Sequence, residues 1–163
     1  MTFQTDYNPF ATVDFAASAG LHDFISSFSK TQGGDISGVG ALGIAPFRRM
    51  IDGWLLAAAV AVAKDVPIVS ADRIPGDKFV TGVVLQREIE TIEFMMLLAI
   101  AITGNPYIVD EPKEIVKCLR ERAEAGYPYL DEMLREGNQP NLYTLVKNLV
   151  STLSGSEGPA GQN

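Results

Sequence analysis

The sequence predicts an all-α fold, a single compact domain of five or six helices, and three observations lead there. Two strongly apolar stretches, "WLLAAAVAVA" and "EFMMLLAIAIT", have the length and composition of core helices. Other stretches put apolar residues on one helical face, as Leu21, Phe24, Ile25 and Phe28 do at i, i+3, i+4 and i+7. Helix starts and stops are marked by proline and glycine, as in "APF", "DEPK" and "TGNP".

A chain of 163 residues suits one domain. Residues 1–153 are expected to form it, and 154–163 ("SGSEGPAGQN") have the composition of a disordered tail. A domain near this length buries roughly 68–70% of its unfolded surface, so it needs neither metal nor disulfide to hold a core. Cys118 is the only cysteine, which excludes an intrachain disulfide and fits a reducing, cytoplasmic setting. Residues 1–30 lack the basic start and apolar run of a secretory signal. The longest apolar run, Trp54 to Ala63, is ten residues, about half of what spans a bilayer. A net charge of −7 disfavours strong non-specific binding to nucleic acid.

In chain order, the first dozen residues with Pro9 are expected to be irregular or extended. Asp14 is a suitable N-cap for a helix through "DFAASAGLHDFISSFSK", which Gly20 can split in two. Residues 31–45, with five glycines, form a loop. Pro46 suits the first turn of a helix to about Lys64, with Met50, Trp54, Leu55, Ala58 and Val62 inward. Its alanines at 57, 58, 59, 61 and 63 let neighbouring helices approach closely. Residues 67–83 suit a long connection, with room for a short β-hairpin around "IPGDK". A helix from about Gln86 ends at "GNP". The next is capped by Asp110, buries Ile115, Val116, Leu119 and Ala123, and ends at Gly126. A short helix "YPYLDEMLRE" follows, then a last one, "NLYTLVKNLVSTL", with Leu142, Leu145, Val146, Leu149 and Leu153 on one face. The helices centred on residues 57 and 96 are apolar enough to sit in the middle.

Residues 38–43, "GVGALG", match G-x-G-x-x-G, the spacing that cradles a dinucleotide pyrophosphate. That chemistry needs a hydrophobic strand just before the first glycine, and "KTQGGDIS" is not one. His22, the only histidine, has just Asp23 beside it in sequence and no evident nucleophile to activate. Cys118 abuts an apolar stripe and reads as a boundary residue, despite Lys113, Lys117 and Arg122 nearby. Glu90 and Glu93 share a helix face, but di-metal bundles add Glu-x-x-His pairs, which this chain lacks. Asp131, Glu132 and Glu136 read as a solvated face. The inventory implies no enzyme, no cofactor and no metal site.

Two features point to binding. Lys113, Lys117 and Arg120 at i, i+4, i+7 form a basic stripe, and Arg48 and Arg49 a second pair, all candidates for phosphate contacts. Pairing within the helix, Glu114 to Lys117 and Arg120 to Glu124, competes with that role. Tyr127 and Tyr129 in "GYPYL" are candidates for a partner interface, where tyrosine is enriched.

The order "APFRRMIDGWLLAAAVAVAK", "EIETIEFMMLLAIAIT", "EIVKCLRERAEAGYPYLDEML", "NLYTLVKNLVSTL" resembles the small accessory proteins encoded beside bacterial DNA phosphorothioation (dnd-type) systems, over residues 44–153. The resemblance implies a cytoplasmic bacterial or archaeal protein of a phage-defence or DNA-modification locus. It would be a non-enzymatic accessory subunit that binds a larger protein of such a complex, away from membranes. The alternatives are a nucleic-acid-binding module using the basic stripe and a small-molecule-binding helical protein using Glu90 and Glu93.

Overall fold

A computed structural model of the chain describes residues 7–29 and 46–136, together with Ser151. The expected loop 31–45 and tail 154–163 lie outside the described residues, as does the expected last helix apart from Ser151. The elements are β1 (Asp14–Ala17), α1 (Ala19–Ser27), α2 (Met50–Ala63), β2 (Asp77–Thr81), α3 (Ile89–Thr103) and α4 (Pro112–Glu136). Short 3-10 turns occupy Ala71–Arg73, Gly82–Leu85 and Pro106–Asp110. The chain is mostly helical, and it adds a two-stranded antiparallel sheet that an all-α expectation omits.

Asp14 is therefore not a helix cap. It opens β1, where Phe15 and Ala17 are buried and Asp14 is exposed, the two-residue alternation of a strand. Its carboxylate lies 2.8 Å from Lys78 Nζ on β2 and accepts a hydrogen bond from Thr81 Oγ1 at 3.3 Å. The Lys78 contact holds that carboxyl below its ordinary range. The register pairs Asp14 with Thr81 and Ala17 with Asp77, with a bulge between Phe15 and Ala16. So the 67–83 segment does contain a strand, but its partner is the N-terminal segment and not a local hairpin arm. The reason lies in α4, whose side chains capture the backbone on the near side of "IPGDK". Glu121 accepts the Ala71 N–H at 2.9 Å, and Arg120 donates to the Ile74 carbonyl at 2.7 Å.

Ser18 caps α1 in place of Asp14, its Oγ accepting the Leu21 N–H at 3.3 Å. The Ser18 hydroxyl and N–H both donate to the Glu124 carboxylate of α4, at 2.6 and 2.7 Å. Gly20 does not divide the helix. Leu21, Phe24, Ile25 and Phe28 are all buried, as their spacing predicts.

The helix α2 is central, with Ile51, Gly53, Trp54, Leu55, Ala57, Ala58, Val60 and Ala61 buried. It packs chiefly on α4. Gly126 was expected to end one helix before a short second one, yet α4 runs through it and through Pro128 to Glu136. Among the described residues there are four α-helices, since two expected helices are one and the expected last helix lies outside them apart from Ser151. A helix-interior proline costs about 3 kcal/mol, and here the crossing with α2 opposes that cost. At the crossing a Cβ on residue 126 would lie 1.9 Å from the Ala57 carbonyl oxygen. Only glycine allows that approach.

Candidate interaction surface

The helix α3 ends as predicted, with Gly104 at φ +67° donating its N–H to the Ile100 carbonyl. Its position is not as predicted. Only Ile92, Met95 and Ala99 are buried, so one side of an almost wholly apolar helix faces outward. Leu97 is 65% exposed near its middle, flanked by exposed Ile89 and Phe94. Val83 and Val84 in the preceding turn are exposed as well, and so is Tyr107 in the turn that follows. Soluble chains rarely leave large apolar side chains together in water unless something covers them. Glu90 and Glu93 stand exposed at the N-terminal end of this face and form no ion pair among the described residues.

Where α3 meets the start of α2, an open groove of about 500 Å³ forms. Phe47, Leu55, Leu56 and Phe94 give it an apolar lining, and Arg48 and Glu90 are on its walls. Arg49 beside it is committed. Its guanidinium lies 2.8 Å from Asp52 and 3.5 Å from Glu88. The Asp52 carboxylate also accepts the Arg49 backbone N–H at 3.0 Å, fastening the first turn of α2. That hydrogen-bonded partner holds the Arg49 guanidinium above its usual range.

The basic stripe is real as a stripe. Lys113, Lys117 and Arg120 line one depression of about 430 Å³, but Asp14 and Asp72 line it too. Lys117 Nζ lies 3.0 Å from Asp72, which raises its pKa through the hydrogen bond first, and it does not pair with Glu114. Arg120 reaches the Ile74 carbonyl, and its Nε is 4.0 Å from Glu124. Lys113 is left without an ion pair among the described residues, as is Arg48. The structure does not bring Arg48 and Arg49 to the stripe: Arg48 lines the groove at α3, Arg49 is paired with Asp52 and Glu88, and neither lines the hollow of the stripe.

Tyr127 and Tyr129 are parted, because residues two apart on a helix point different ways. Tyr127 packs on the core with its ring 6.0 Å from Phe24. Tyr129 is exposed, with Lys64 Nζ 5.8 Å from its ring centre. His22 Nδ1 is 3.9 Å from Asp23, both in solvent reach. Cys118 is half-buried, and burial pushes its thiol up, away from a reactive thiolate. Among the described residues, no three His, Cys, Asp or Glu side chains group as metal ligands do. No helix among them is long and apolar enough to cross a membrane.

No family model, curated protein or solved structure matches this chain.

The outer face of α3 was the surface that sequence reasoning missed. Its residues were visible as apolar, and the excess of apolar positions over one helix side was the available sign. A helix apolar all round belongs inside. If it sits at an edge, the surplus face is unpartnered.

Proposed function

We propose that the chain is a non-catalytic helical subunit whose outer α3 face docks onto a larger protein. On this reading, which the resemblance alone supports, that protein belongs to a bacterial defence or DNA-modification assembly of the cytoplasm. The observation that carries the reading is Leu97, mostly exposed on a folded helix between Ile89, Phe94 and the carboxylates Glu90 and Glu93. An apolar centre with charges at its edge is the anatomy of an interface, and the charges ask for basic residues on the partner.

Leu97→Asp puts a charge at that centre without disturbing a buried contact. Tagged full-length chain is recovered from its own host and its stoichiometric partner quantified by mass spectrometry. The variant is expected to reduce partner recovery by about tenfold or more, as loss of a central hot-spot residue does. Its melting curve is expected to match that of the unaltered chain. Equal recovery with Leu97→Asp, or no stoichiometric partner at all, would sink the reading.

A second reading, direct nucleic-acid contact, has one observation in its favour, the gathering of Lys113, Lys117 and Arg120 in one depression. The carboxylates there oppose it. Were it right, duplex DNA would bind at low salt, and Lys113→Glu would lower the salt slope by about one. A flat titration at low salt removes it.

A further inference from the structure

We infer that the depression between α4, β1 and the Ala71–Arg73 turn binds a small zwitterion of the α-amino acid class. It encloses about 430 Å³, within the range of small-molecule sites. Its walls come from three segments distant in sequence, and hydrogen bonds tie them together. Glu121 of α4 accepts the Ala71 N–H at 2.9 Å. Glu124 accepts the N–H and the hydroxyl of Ser18, the residue after β1, at 2.7 and 2.6 Å. A site whose walls are fixed in advance loses little freedom when a ligand enters.

Both signs of charge line the depression, and each has capacity left over. The side chain of Arg120 is only 16% exposed, yet among the described residues its guanidinium makes a single hydrogen bond, to the Ile74 carbonyl. Its buried Nε has no hydrogen-bond partner, and the Glu124 oxygen 4.0 Å away is already engaged by Ser18. A largely buried cation left in that state is costly, and a ligand carboxylate bonded to its free N–H groups offsets the cost. Lys113, without an ion pair among the described residues, is a second cation for the same carboxylate. Asp14 and Asp72 also line the depression. Each makes one ion pair, with Lys78 at 2.8 Å and with Lys117 at 3.0 Å. A carboxylate accepts about four hydrogen bonds, so both have room for a ligand ammonium. These carboxylates repel a polyanion, and Lys113 and Arg120 repel a simple cation. A molecule with one charge of each sign finds a partner for both. Val13, Val116 and Ala71, all buried, add apolar surface for a short aliphatic side chain. The depression shares no lining residue with the α3 face, so the inference stands apart from the docking function.

Ligand-observed NMR of the full-length chain at low salt, against the common L-α-amino acids one at a time, finds the best binder, and titration gives its Kd. The N-acetyl derivative of that amino acid keeps only the carboxylate, and its amide keeps only the ammonium. Each is expected to bind about tenfold more weakly, because one charged contact is lost. Lys113→Gln alters an exposed residue and is expected to weaken the amino acid by about the same factor. Asp72→Asn is expected to weaken the amino acid while the N-acetyl derivative gains, because a repelling carboxylate is gone. Leu97→Asp is expected to leave the Kd unchanged, so this site and the docking face fail separately. No amino acid binding below about 10 mM would overturn the inference. So would an N-acetyl derivative or inorganic phosphate that binds as tightly as the amino acid, or a Kd unchanged in either Lys113→Gln or Asp72→Asn.

Discussion

Gly126→Val is expected to destabilise the chain by about 3 kcal/mol or more, at or beyond the upper end of ordinary overpacking. Two effects of opposite sign meet at this residue. Glycine inside a helix is worse than alanine by about 0.8–1.0 kcal/mol, so on an exposed helix the change to alanine would help. At this position the added carbon would lie 1.9 Å from the Ala57 carbonyl oxygen and 2.9 Å from the Ala61 nitrogen. Both are backbone atoms of a buried helix and cannot rotate aside, so α2 and α4 would have to part along their main interface. The steric term wins. For a chain of this size, about 3 kcal/mol corresponds to a fall in Tm of roughly 6–12 °C. Urea unfolding followed by far-ultraviolet circular dichroism measures it. Gly126→Ala is the sharper test, because a rise in its midpoint would show that helix propensity governs the site and not the crossing.

This residue also shows what the sequence could not carry. The alanines at 57, 58 and 61 announce a close helix approach, and the structure has one. Nothing local says that its other half is Gly126. Glycine followed by "YPY" obeys every local rule for a helix end, and only packing against α2 overrides them. The sheet was hidden in a similar way. Asp14 is an acceptable helix cap, and "DFAA" is too short for its alternation to stand out. Its role is decided by Lys78 and Thr81 far along the chain.

The candidate site divides along the same line. Periodicity on one helix was legible, so Lys113, Lys117 and Arg120 do share a face. Their neutralisation was not, because Asp72 and the Ile74 carbonyl arrive from a turn distant in sequence. For α3 the difficulty is different. Residues 94–102 are all apolar, so the pattern contains little angular information about which side faces the core. Amount of apolar surface could be read. Direction could not, and direction is what leaves Leu97 exposed.

Trp54→Ala is expected to cost about 3–5 kcal/mol, a large part of the 5–15 kcal/mol that a domain commonly has. Trp54 is fully buried, with its ring edge-on to Phe15 at 5.3 Å. Its indole N–H donates to the Ala16 carbonyl at 3.3 Å, beside the bulge in β1. The substitution therefore leaves a cavity and removes the indole's hydrogen bond to β1 together, at the point where α2 supports the sheet. Trp54→Phe keeps most of the apolar volume and loses the hydrogen bond, so its expected cost is smaller, about 1–2 kcal/mol. Thermal melting by circular dichroism ranks the two, since the only tryptophan is the residue removed. A melting point for Trp54→Ala within about 2 °C of the unaltered chain would mean that the Trp54 contact with β1 contributes little. The same measurement guards the functional test. Partner recovery lost in Trp54→Ala would follow from loss of the fold, whereas recovery lost in Leu97→Asp at an unchanged melting point belongs to the surface itself.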